Sequence, residues 1–114
     1  LGIEKSKSAV VPPVNVCINC HQVVKTDSPH IKKLREHYAS NQPIEWVKVH
    51  DLPDHVRFSH ERHINAKIEC SSCHGDVAKM QRVEQVKDLT MGFCLDCHRS
   101  EKVQAPTNCQ SCHH

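Results

Sequence analysis

Aromatic side chains are almost absent from this chain: one Trp, one Tyr and two Phe in 114 residues. The apolar supply as a whole is thin, at 38%, so the polypeptide alone is a marginal folder with little to bury. Long hydrophobic runs are missing, and with them any transmembrane span, signal peptide or lipidation motif. No alternating run is long enough for a sheet. Excess charge is scarce too: the formal net charge is +2 with neutral histidine, which leaves no footprint for nucleic acid. Cysteine is the reverse. The chain has eight, all within four short motifs, so none is left for a disulfide framework or a reactive thiol.

Those motifs are Cys17-Ile18-Asn19-Cys20-His21, Cys70-Ser71-Ser72-Cys73-His74, Cys94-Leu95-Asp96-Cys97-His98 and Cys109-Gln110-Ser111-Cys112-His113. Each reads C-x-x-C-H, the attachment signal for c-type haem: two thiols add across the porphyrin vinyl groups and the next histidine binds iron. Paired C-x-x-C units also make tetrahedral zinc sites, but zinc gives no reason for a histidine at the same offset every time. The expectation is four covalently bound haem c, with His21, His74, His98 and His113 as proximal ligands. The porphyrins then supply the core that the side chains do not. Their propionates add about eight negative charges, taking the holoprotein to about −6 when reduced and about −2 when oxidised.

Seven histidines remain for the far side of the irons. His60 and His63 stand three apart in F-S-H-E-R-H and face the same way if that stretch is helical, with Phe58 beside them. His50 sits in an apolar stretch where a solvent-facing histidine is out of place. His50, His60 and His63 are therefore the expected distal ligands. Behind them stand His114, next to the last proximal histidine, and the thioethers of Met80 and Met91, since methionine in place of histidine raises a haem potential. Packing is the commoner fate of methionine. His30, His37 and His55 read as surface residues, and Trp46, Val49, Phe58 and Phe93 as haem-covering ones.

Residues 1–15, with Pro12-Pro13, read as an extended strap, and 16–114 as a single tetrahaem domain. Ser28-Pro29 starts a helix running to Ala39 and ending at Asn41-Gln42-Pro43. Pro43–Pro53 is extended. Gly75 frees the backbone after the second motif, and Asp76–Val86 carries a weak helical pattern. Thr90 caps a helix over Met91–Arg99, and Asn108 caps a last turn. The expected fold is mostly irregular with short α-helices. The gaps between motifs are unequal, which excludes a solenoid, and the third and fourth motifs are close enough to force their haems together.

F-S-H-E-R-H followed by C-S-S-C-H resembles the multihaem modules of the class III cytochromes, c3 and c7. There the first histidine of the pair binds the haem of the next motif and the second binds another. That resemblance implies His60 for the haem on Cys70/Cys73, and His63 for the one on Cys94/Cys97 or Cys109/Cys112. The stretches V-C-I-N-C-H-Q-V-V-K-T-D-S-P, P-I-E-W-V-K-V-H-D-L-P-D and M-G-F-C-L-D-C-H-R also resemble the pentahaem cytochrome c subunit of alternative complex III, a bacterial menaquinol-oxidising complex.

The second resemblance covers residues 14–114. It implies a non-enzymatic relay subunit on the periplasmic side of the inner membrane, taking electrons from iron–sulfur and integral-membrane subunits to a monohaem cytochrome c or an oxidase. The alternative is a free periplasmic tetrahaem shuttle of the c3/c7 kind. The family pattern has a fifth motif and a helix upstream of the stretch present here. With no initiating Met, the expectation is that a segment precedes Leu1, and haem attachment requires an export signal or anchor.

Overall fold

A computed structural model describes residues 3–114. Five α-helices occur among them: α1 Val14–His21, α2 Pro29–Ala39, α3 His60–Asn65, α4 Cys70–His74 and α5 Met91–Arg99. Single 3-10 turns lie at Ile3–Lys5, Val77–Lys79 and Cys109–Ser111. No strand is present among the described residues, and no helix there is long and apolar enough to cross a membrane. The architecture is short helices joined by irregular chain, as expected.

The helix starts follow local chemistry. Pro29 sits at the first position of α2 behind Ser28, where its missing N–H costs nothing. Thr90 Oγ1 accepts from the Phe93 amide at 3.2 Å to open α5, and Asn108 Oδ1 accepts from the Ser111 amide at 3.1 Å to open the last turn. Asn41, with φ of 53°, closes α2, because asparagine tolerates the left-handed conformation a helix end requires. The weak pattern over Asp76–Val86 forms only the turn Val77–Lys79; the rest is irregular. That stretch has a few valines and a methionine but no side-chain cap bond, and its turn packs only against the five-residue α4, which gives a short helix little support.

The chain divides into two compact units. One is Val10–Val47; the other joins the described residues of Leu1–Ala9 to Lys48–His114. In the first unit α1 packs on α2, and Ile18 of α1 is buried. In the second, the turn Ile3–Lys5 packs on α3. The α3 amides of His60 and Glu61 donate to Lys7 O at 3.1 Å and Ser6 O at 3.2 Å, which satisfies donors that a helix start leaves free. The N-terminal stretch is thus locally folded at Ile3–Lys5 and helical from Val14, where an extended strap was expected through Asn15.

Ile18 is the one buried hydrophobic side chain among the described residues, and the accessible surface is 9684 Å². A folded monomer of this mass exposes roughly 6,300 Å². Polypeptide alone does not close this fold.

Candidate functional site

Each C-x-x-C-H motif sits on one turn of helix. Motif one ends α1, motif two is the whole of α4, motif three lies in α5, and motif four occupies Cys109–Ser111 and the residues after it. A three-residue offset on a helical turn puts both sulfurs on one side with the histidine following. In every pair one cysteine is exposed and the other half-buried, and none of the eight is bridged. Three motifs converge. Burial pushes the Cys73 thiol up from its ordinary range, and the neighbouring Cys97, Cys94 and Cys70 add to it. Burial, then Cys112 and Cys97, pushes the Cys94 thiol up in turn. Motif three therefore neighbours both motif two and motif four.

Three of the four motif histidines share one arrangement. Nδ1–H donates to a backbone carbonyl at His21 (Val24 O, 3.1 Å), His98 (Pro106 O, 2.7 Å) and His113 (His55 O, 2.9 Å). His63 Nδ1–H donates to Ser59 O at 2.8 Å, and His60 Nδ1–H makes a longer contact with Lys7 O at 3.4 Å. A carbonyl only accepts, so the proton is on Nδ1 and the lone pair on Nε2, free for a metal. This is the outer-shell pattern that orients ligating histidines.

Two ring pairs have the separation a shared metal requires. His60 and His74 have ring centres 6.3 Å apart with planes 9° apart, and His63 and His98 stand 6.0 Å apart at 45°. Two imidazoles on opposite sides of one metal, each nitrogen at about 2 Å from it, have ring centres about 6 Å apart. The α3 helix makes this possible: Ser59 caps it, and a three-residue offset then turns His60 and His63 to one side. Phe58 packs on both rings, at 4.8 Å and 4.4 Å between centres. Burial, followed by the charges of His50 and His60, pulls the His74 pKa down from its usual value, so the ring stays neutral and able to bind metal.

The other candidates lie elsewhere. The His55 ring is 5.6 Å from that of His113, yet the His55 carbonyl sits on the Nδ1 edge. A ring opposite Nε2 would stand further from that carbonyl than a histidine side chain reaches, so His55 flanks His113. His50 lies on the Nδ1 edge of His74, its Nε2 3.2 Å away. The His114 backbone is tied to Arg57, whose Nε donates to its carbonyl at 3.0 Å. Met80 is half-buried beside Gly75, and Met91 is 68% exposed. His30 and His37 lie on α2. His37 lines a cavity of about 330 Å³ with Pro13, Val14, Tyr38 and Pro43, its Nδ1 buried without a partner. Trp46 is exposed and Phe93 half-buried. The supporting carbonyls of Lys7, Val24, His55 and Pro106 have no signature in sequence, since every residue carries one.

Bare metal fits poorly. Among the described residues no three His, Cys, Asp or Glu side chains converge on one point. Haem fits better: paired thiols stand on one turn, and two pairs of imidazole rings have centres 6.3 and 6.0 Å apart. Comparison with known proteins agrees. The family model for cytochrome c7 and related cytochrome c matches residues 56–114, just over half the chain, taking in motifs two to four with His60 and His63. No curated protein matches.

Proposed function

The chain belongs to the family of cytochrome c7 and related cytochrome c, and from that premise we propose that it is a tetrahaem electron relay, passing single electrons among its haems. The pairing of His60 with His74 and His63 with His98, at 6.3 and 6.0 Å between ring centres, carries this reading. Bound haem supplies a one-electron ferric/ferrous couple. The residues do the rest. Cys17/Cys20, Cys70/Cys73, Cys94/Cys97 and Cys109/Cys112 fix the porphyrins by thioethers. His21, His74, His98 and His113 would be the motif ligands to iron, and His60 and His63 would supply a second histidine ligand to two of the haems.

At the two irons that His60 and His63 would close, no position would be left for substrate and the ligand set would be the same in both oxidation states. The family match supports an electron carrier rather than an enzyme by itself. The convergence of Cys73, Cys94, Cys97 and Cys112 supports a compact cluster of the second, third and fourth haems, and tunnelling falls steeply with the gap between porphyrin edges.

The finer reading is a relay subunit on the periplasmic side of the inner membrane. It takes electrons from iron–sulfur and integral-membrane subunits of a menaquinol-oxidising complex and delivers them to a monohaem cytochrome c or an oxidase. The resemblance of the W-V-K-V-H-D-L-P-D stretch to the pentahaem subunit of alternative complex III supports it. The family match favours a second reading, a free periplasmic shuttle of the c3/c7 kind. Pyridine haemochrome assay of the purified protein tests the relay chemistry: four haems per chain are expected, and a colourless product refutes it. Native gels of source membranes separate the two settings. Migration with an iron–sulfur subunit supports the complex; migration alone supports the shuttle.

A further inference from the structure

Three of the four motif histidines lean on main chain, and one leans on a side chain. His21, His98 and His113 each give Nδ1–H to a carbonyl. His74 Nδ1 instead faces His50 Nε2 at 3.2 Å, with the two rings edge-on at 4.4 Å and 84° between planes. The His74 ring centre is also 6.3 Å from that of His60, with planes 9° apart. We propose that His50 is the outer-shell partner of His74, accepting its Nδ1–H and so tuning the haem held on Cys70 and Cys73, and that His50 binds no iron.

The argument is one of lone pairs. A neutral imidazole has one N–H and one acceptor nitrogen. With iron on its Nε2, His74 carries its proton on Nδ1, so the nitrogen facing it must accept. His50 Nε2 thereby spends its lone pair, and the His50 proton lies on Nδ1, leaving neither nitrogen for a metal. This withdraws His50 from the distal ligands expected from its apolar surroundings. The same surroundings, a half-buried position in the Pro43–Pro53 stretch, suit a ring that reads another ring. An exposed Lys48–Asp51 ion pair, 3.4 Å long, spans the bend that carries it.

The effect has a sign. An imidazole nitrogen drawing on Nδ1–H makes His74 a more basic ligand, and a more basic ligand stabilises the ferric form. Losing the acceptor raises the potential of that haem alone. Backbone carbonyls cannot be deleted at the other three sites, so this is the one haem whose outer shell is open to substitution.

The inference rests on the haem reading above, and its test separates the two. Holoprotein carrying His50→Gln, whose side-chain oxygen still accepts, and His50→Leu, which does not, is assayed for haem content, ferric spin state and potentials. The ferric spin state of every haem is expected to match that of the native protein in both variants. One midpoint potential rises in His50→Leu and returns toward the native value in His50→Gln. A new high-spin haem in either variant overturns the inference, because glutamine does not replace a strong-field imidazole. So do unchanged potentials in His50→Leu, or, should that variant not mature, a low-spin His50→Asn or His50→Gln whose potentials scatter across all four haems. Protein without any haem overturns the haem reading itself.

Discussion

The two compact units treat the same motif differently. In Val10–Val47 one C-x-x-C-H ends a helix that packs against another helix around Ile18, and His21 has no ring opposite it among the described residues of that unit. In the unit containing Lys48–His114, three such motifs crowd together on turns of five to nine residues or less, no side chain is buried among the described residues, and two irons' worth of histidines already face each other. The family match lies wholly inside that second unit. One unit is a helix pair carrying a single motif; the other carries three motifs on short turns with no buried side chain among its described residues.

Removing haem altogether should break the second unit and leave traces of the first. Circular dichroism of chain that has never received haem should show little helix, with any remainder assignable to α1 and α2. Native helix content in that material would overturn the comparison. The next largest effect comes from deleting single attachments. Cys94→Ser with Cys97→Ser removes the middle of the converging group and should cost the folding of the whole Lys48–His114 unit, seen as lost low-spin signal from more than one haem. Cys17→Ser with Cys20→Ser should cost one haem and leave the other three spectrally unchanged. Equal damage from both would erase the distinction.

Gly75 sharpens the picture at the level of one atom. Its φ is +66°, and a Cβ there would stand 2.7 Å from Val86 Cγ2, so both backbone strain and overpacking oppose any side chain. Gly75→Ala should destabilise the holoprotein by about 3 kcal/mol, read as a drop in thermal midpoint. The smallest effects are caps. Thr90 makes its cap bond, whereas Ser28 makes none with its side chain. Thr90→Ala should cost about 1 kcal/mol, and Ser28→Ala should leave denaturant midpoints where they are.

Much of this was legible in advance where side chains carry the signal. Ser28-Pro29 and Asn41 bound α2, Thr90 and Asn108 open their turns, and the three-residue offset of His60 and His63 needs only a helical backbone to become a pair. Other features were hidden for physical reasons. Pro12-Pro13 looks like extended chain, yet a proline before the first turn is compatible with the helix from Val14. Asp76–Val86 has helical spacing but only the short α4 and Gly75 to pack against. The carbonyls of Lys7 and His55 hold histidines through main chain, which sequence does not mark. His50 was read from its apolar neighbours, and those neighbours suit a partner of His74 as well as a ligand.

The most direct test is quantified ferric electron paramagnetic resonance of holoprotein carrying His60→Leu and His63→Leu together. Opening the two irons that His60 and His63 close should give two more high-spin haems per chain than the native protein has, with haem content unchanged. No gain of high-spin haem in that variant would mean that neither histidine binds iron, and the account of the site would fall.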